Sequence, residues 1–471
     1  MKSKKKFLAA ISIVLALTLV FAGQIVSRTQ AEAFEIFFVE DLLQDEEYML
    51  AVEEYLILQY GEEFWTNLEG ARANDAAIMS FFGRARTGIP MYPDFFGGIY
   101  YTPEGNMVLQ IVQDYASRNL AQYSLVRDFL TTAEGVIVEY VDFSYNEINA
   151  TMDFLGAMMV SEGRSEALNN VQTIAVDTSN NKVIIWLHNY SEEAVAYFRE
   201  TVINSQFITF AESVGLSTFL SCVPPSDPEP PPPAQIRPGG RIDTANQSRR
   251  GSIGYGARLS NGTQGFVTSA HTFLSSNFQT LQFPNVYIGT RRVGTISANE
   301  WRIGGNIDAA FVRINSDAVL TNSWSTAGGI RPSNWVGGWP HQQGAPAGVL
   351  RTTVQTTFRQ FDRVAKIGST TAMTIGAVLN PNVIDTIQGI SFTQQVSASF
   401  DVMAGDSGGV VIWSSVGTLN DAGNLNPATV VSGARNTAGI IMGRAPNTVG
   451  VLFNRASNIN SHFGLTRFPL S

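Results

Sequence analysis

Three residues in the second half of this chain, His271, Asp308 and Ser407, are of the types that together make a serine hydroxyl reactive. A serine is a weak nucleophile at neutral pH. A histidine within hydrogen-bond reach takes its proton, and a carboxylate fixes the histidine tautomer and stabilises its cation. Each residue sits in a short motif: Thr268-Ser269-Ala270-His271, Asn306-Ile307-Asp308-Ala309-Ala310 and Gly405-Asp406-Ser407-Gly408-Gly409. They run in the order His, Asp, Ser, with 37 residues from the first to the second and 99 from there to the third. Several unrelated frameworks build such a triad, each with its own chain order. Taken alone, the glycine-rich pentapeptide is also an ordinary turn, and a histidine after a strand is more often structural. The conjunction of three motifs in one order points to acyl transfer. The glycines have a physical purpose, because backbone N–H groups can converge on one oxyanion only in a tight loop that a Cβ would resist. Asp406, inside that loop, would turn inward and need a cationic or hydrogen-bonding partner.

The other histidines have no comparable surroundings. His188 lies at a strand end, His341 in the loop-like Trp339-Pro340-His341-Gln342-Gln343, and His462 in the final segment. Four scattered histidines without ligand spacing give no metal site, and neither a metal nor a cofactor is expected. Cys222 is the only cysteine, so no disulfide can form within the chain; it reads as a spare thiol.

The elements that must position the three residues are strands. After residue 236, Gly, Thr, Ser, Val and Ile dominate, and short apolar runs such as Gly265–Thr268, Ala309–Ile314 and Val410–Trp413 alternate with turn residues. This texture predicts an all-β domain over 236–471, two antiparallel Greek-key barrels with the site in the cleft between them.

The first half reads differently. Lys2, Lys4, Lys5 and Lys6 precede an apolar stretch of 15 residues, Leu8 to Ala22, followed by Ala31-Glu32-Ala33. This is the pattern of a cleaved export signal over 1–33, too short for the roughly 20 residues of a membrane span. Export would make the membrane contact transient and place the protein outside the cell. Residues 34–223 read as an acidic α+β unit. Residues 41–60 have helix-like apolar spacing, a hairpin is expected about Asp177–Asn181, and a helix from Ser191 to about Asn204, with Ser191 as N-cap. Seven prolines between Pro224 and Pro233 then make residues 224–235 an extended spacer. Residues 34–235 carry 8 Lys+Arg against 30 Asp+Glu, and residues 236–471 carry 18 against 9. Opposite charge predicts that the halves dock on each other. The scattered arginines form no stripe suited to nucleic acid.

From these motifs the second half resembles the chymotrypsin-like serine proteases, most closely the alpha-lytic protease and streptogrisin branch. The strand–turn–strand–helix pattern of residues 174–204 looks like the pro-domain of the same branch. The resemblance implies a secreted, monomeric serine endopeptidase made as a preproenzyme, cleaving polypeptides through an acyl-enzyme. It implies a pro-domain that assists folding and then inhibits, and oxyanion donors in the N–H groups of Gly405 and Ser407. Residues Asp401 and Met403 would line the specificity pocket, and Met442, Gly443 and Arg444 would lie on the strand that pairs with substrate. Arg444 in that place would narrow the pocket or favour an acidic side chain, unless Asp401 pairs with it. Two further departures stand out. Thr272 replaces a cysteine usual after the histidine, and Met442 replaces a serine that usually touches the catalytic aspartate. A non-catalytic binding protein on a protease fold, and an esterase on the same framework, are the alternatives.

Overall fold

The computed structural model describes residues 62–82, 91–116, 121–220, 235–316, 318–321, 323–324, 348–360, 362–400, 402–413, 433–448 and 450–467. The export signal, the 41–60 helix, the proline spacer, Cys222, His341 and Asp401 lie outside these residues.

Among the described residues the chain is mostly β-sheet with few helices. The helix Glu62–Phe81 lays Phe64, Leu68, Ile78 and Met79 on a three-stranded sheet of Phe96–Tyr101, Met107–Val112 and Val136–Val141. The helix Tyr145–Val160 starts where a capping box supplies partners for end N–H groups: Ser144 accepts from the Glu147 N–H, and Glu147 accepts from the Ser144 N–H. The expected hairpin forms between Val171–Asp177 and Lys182–Leu187. Its turn is held by the Asp177 carboxylate, which accepts from Ser179 and the Asn180 N–H, and by Asn181 at φ 52°, a left-handed conformation asparagine tolerates. A helix over Glu192–Thr201 follows, with the Ser191 hydroxyl accepting from the Ala194 N–H. It leads to Ile208–Glu212, which pairs parallel to Lys182–Leu187.

Among the described residues, two large sheets and one two-stranded sheet build the second half. In the first, the strands run 250–252, 241–244, 285–288, 291–295, 307–314, 264–268, 256–258, with 301–304 also pairing 307–314. The second includes 348–354, 433–445, 410–413, 363–368, 372–387, 390–398 and 450–455. Among the described residues, pairing within this half departs from the antiparallel expectation where Gly348–Val354 runs parallel to Gly433–Ala445, where Gln235–Ile236 runs parallel to Val319–Leu320, and at the single parallel bridge Gly305–Phe392. Val267, Ile307 and Phe311 from the first sheet meet Ile367, Val410, Ile412 and Ile440 from the second in one buried apolar cluster, capped by the final helix through Ala456 and Ile459. Truncating one such phenylalanine to alanine costs about 3–5 kcal/mol, so this seam holds the two sheets firmly.

The halves share a sheet. The strand Val171–Asp177 pairs antiparallel with Ala372–Ile387 through Ala175↔Val383, Ile174↔Ile384 and Thr173↔Asp385. An ion pair joins Asp75 to Arg359 at 2.5 Å, and Arg164 donates to the Ser391 hydroxyl at 2.6 Å. Among the described residues no helix is long and apolar enough to cross a membrane.

Candidate active site

The strand register brings His271 and Asp308 together. Gln264–Thr268 pairs antiparallel with Ile307–Ile314, with Thr268 opposite Ala310. Two residues further on, Asp308 reaches the turn that carries Ala270 and His271. One of its oxygens accepts the N–H groups of both, each at 3.0 Å. Its other oxygen lies 2.5 Å from His271 Nδ1, and His271 Nε2 lies 2.9 Å from Ser407 Oγ. All three side chains are buried. The bond to Nδ1 leaves Nε2 facing the serine as an acceptor, the tautomer a general base requires.

The histidine turn is clamped from behind. Arg249 donates to the carbonyls of His271 and Leu274 at 3.1 and 2.6 Å, and its guanidinium lies over the Phe283 ring. Burial pushes the Arg249 pKa down from its ordinary value. Thr272, in the place of the usual cysteine, exchanges a hydrogen bond with Ser269 at 3.0 Å.

Asn454 ties the second sheet to the aspartate. Its Oδ1 accepts the Asp308 N–H at 2.7 Å and its Nδ2 donates to the Asp308 carbonyl at 3.3 Å. Nothing in the local sequence around Asn454 marked it. Met442 is fully buried in an apolar cluster with Phe219, Val383 and Leu452. The carboxylate of Asp308 is satisfied by backbone N–H groups and the imidazole.

Ser407 stands in the turn ahead of the strand Val410–Trp413. Gly405 and Gly408 take φ of 101° and 82° there, and a Cβ on Gly405 would strike the Thr370 hydroxyl. Asp406 turns inward and finds its partners. Lys366 Nζ lies 2.9 Å away and the Thr371 hydroxyl donates at 2.6 Å. The N–H groups of Thr370, Thr371 and Met403 donate at 2.8, 3.1 and 3.0 Å. Lys366 is fully buried on the strand Arg363–Gly368. Its signal in the sequence was its rarity, a lysine inside the apolar run Val364-Ala365-Lys366-Ile367 of a half that has almost none. Ser252 and Ser369 both donate to the Gly405 carbonyl, at 2.7 and 2.9 Å. Their bonds anchor the carbonyl of the Gly405–Asp406 peptide.

That N–H is occupied. It donates to the carbonyl of Leu220 at 2.9 Å. The short strand Thr218–Phe219 pairs antiparallel with Gly433–Ala445, Phe219 opposite Gly443 and Thr218 opposite Arg444. The Phe219 ring stacks on the His271 imidazole with centroids 4.4 Å apart. Of the pocket residues expected from the sequence, Met403 is exposed, and Arg444 is exposed with its guanidinium donating to the Val402 carbonyl.

Among the described residues, the other two histidines lie apart from this constellation. His188 follows the strand Lys182–Leu187 and His462 lies exposed in the last helix; burial lowers the pKa of each. Among the described residues no group of three or more His, Cys, Asp or Glu is placed to hold a metal ion. A cavity of about 850 Å³ opens at the seam between the halves, lined by Asp75, Tyr101, Trp186, Arg359 and Pro381 among others, but none of the three site residues lines it.

Residues 146–213 match a family model described as a Pro-like C-terminal domain. No curated protein matches the chain. Among solved structures, Nocardiopsis protease is 22% identical, covering 50% of this chain and 98% of its own, with a TM-score of 0.33. Thermobifida fusca Protease A is 19% identical, covering 50% and 100%, with a TM-score of 0.34. An alpha-lytic protease homolog, N4, is 16% identical, covering 50% and 100%, with a TM-score of 0.34. This chain resembles the alpha-lytic protease-like serine proteases. The Pro-like match falls on the first half, from the helix Tyr145–Val160 to the strand Ile208–Glu212.

Proposed function

We propose that this chain is a secreted serine endopeptidase made as a preproenzyme. The observation that carries the reading is the unbroken hydrogen-bonded line from Asp308 through His271 to Ser407, beside an N–H of Gly405 that already holds a peptide carbonyl. In this reading His271 takes the Ser407 proton as Oγ attacks the scissile carbonyl carbon. Asp308 holds the imidazole and stabilises its cation. The N–H groups of Gly405 and Ser407 bind the oxyanion, each such donor being worth about 2.7–4 kcal/mol of transition-state stabilisation. His271 then protonates the leaving amine, and water releases the acyl group by the reverse path. The second half works as two barrels facing each other across this site.

The first half acts as folding aid and inhibitor. Its last described residues, Thr218 to Leu220, lie along the strand that would pair with substrate, so a peptide from outside has no access while they remain. The shared sheet through Val171–Asp177 and Ala372–Ile387 supports the role in folding, since it completes an edge of the second half.

The test is a fluorophosphonate label on the secreted protein, beside Ser407→Ala. Labelling and protein hydrolysis present in the wild type and absent in the variant would support the endopeptidase. Labelling with cleavage of small esters alone would favour the esterase, and no labelling would favour a binding protein.

A further inference from the structure

Resting on the endopeptidase reading, we propose that the enzyme cuts its own chain at the bond after Leu220 and that its pocket selects leucine on the acyl side. The segment lies in the orientation of a substrate. Its backbone runs antiparallel to the strand holding Gly443 and Arg444, and Phe219 covers His271. The carbonyl held by Gly405 is that of Leu220. The residue whose carbonyl occupies an oxyanion site is the one whose carbon the serine attacks.

The surroundings of the Leu220 side chain define what the pocket accepts. Leu220 is 6% exposed and belongs to a buried apolar cluster with Phe400, Val402, Ile441 and Val451. A carboxylate or an ammonium would lose its water there, and an unpaired charge in such a place is costly. Arg444, in sequence a candidate to draw an acidic side chain, instead bonds its guanidinium to the Val402 carbonyl at the exposed rim. Phe219 sits one residue earlier, flat on the imidazole, so an aromatic side chain at that position shields the His271–Asp308 pair from water.

In the cut, a bond forms between Ser407 Oγ and the Leu220 carbonyl carbon. The serine proton passes to His271 Nε2 and then to the nitrogen of Ser221 as the carbon–nitrogen bond breaks. One water hydrolyses the ester, leaving a Leu220 carboxylate and a new amino terminus at Ser221. The proline spacer would then stay with the enzyme half rather than depart with the first half.

The experiment is N-terminal sequencing and intact mass of the full chain as secreted, for wild type, Ser407→Ala, Leu220→Met and Leu220→Asp. The expected wild-type product begins Ser-Cys-Val-Pro-Pro, is absent from Ser407→Ala, persists in Leu220→Met, and falls about 10–200-fold in rate of formation in Leu220→Asp, the range for spoiling an apolar pocket contact. Because Leu220→Asp could instead unseat the segment or misfold, the secreted wild type is also given peptides of the form Thr-Phe-X-Ser. Leucine at X should exceed alanine, glutamate and lysine by a similar factor. A Ser407-dependent cut elsewhere, or a preference for glutamate or lysine, overturns this proposal and leaves the endopeptidase standing. No Ser407-dependent cleavage together with no fluorophosphonate labelling removes both.

Discussion

Lys366 Nζ and Asp406 Oδ2 lie 2.9 Å apart with both side chains fully withdrawn from solvent. The lysine comes from a strand, the aspartate from the turn beside Ser407, so their attraction pulls that turn inward. Breaking a buried pair by removing one partner costs about 3–5 kcal/mol, because the other charge is stranded. Lys366→Met should therefore lower stability by roughly that amount and abolish activity. Adding Asp406→Asn should recover part of the stability, since a neutral amide tolerates burial better. Denaturant midpoints for the two single variants and the double variant check this; a double variant no more stable than Lys366→Met would mean the pair does not hold the turn.

Asn454 should be a positioning residue for Asp308. Asn454→Ala leaves the buried Asp308 N–H without its acceptor, at a cost of about 1–3 kcal/mol. The expected signature is a fall in kcat with KM little changed, because the aspartate drifts while the substrate strand stays in place. Asn454→Asp would keep the acceptor but add a charge beside Asp308, so its loss of kcat should exceed that of Asn454→Ala. Steady-state kinetics on both variants check the order.

The triad itself predicts a steeper loss. Asp308→Asn should keep the fold and reduce kcat by about 10⁴, the effect of holding the imidazole in the wrong tautomer. Circular dichroism and a burst assay on the purified variant separate this from unfolding; activity within about tenfold of wild type would count against the assignment of Asp308.

Asp385 should make the stability of the joined halves depend on pH. It is fully buried at the shared sheet edge, where Gln172, Thr173 and the N–H of Thr386 donate to one of its oxygens. Burial outweighs these bonds and raises its pKa to about 6. A carboxyl whose pKa is raised by folding favours the folded state while it stays protonated. Its contribution is complete below the ordinary value near 3.8 and is lost as pH rises through about 6. The loss is on the order of 3 kcal/mol between about pH 4 and 7. In full-length Ser407→Ala, where the halves stay covalently joined, stability from this group should fall over that interval. Asp385→Asn should flatten the dependence, and equal pH slopes for the two proteins would refute it.

The candidate site residues were legible in the sequence because their motifs are local. Each of the three motifs is a few residues long, and a tight turn or a strand end imposes its own composition. The hairpin at Asp177–Asn181 and the cap at Ser191 follow from the same local bonding. The partners of those residues were not legible. Lys366 lies 40 residues from Asp406, and Asn454 lies 146 from Asp308. The strand Val171–Asp177 meets Ala372–Ile387 across a separation of 204 residues at the Asn380 bond to the Val176 carbonyl. No periodicity encodes which strand lies beside which across such distances; that choice is made by burial of whole faces. The seating of Phe219 and Leu220 on the site is of this kind. Its sequence, Ser-Thr-Phe-Leu, carries no motif, and only the folded sheet sets it against His271 and Gly405.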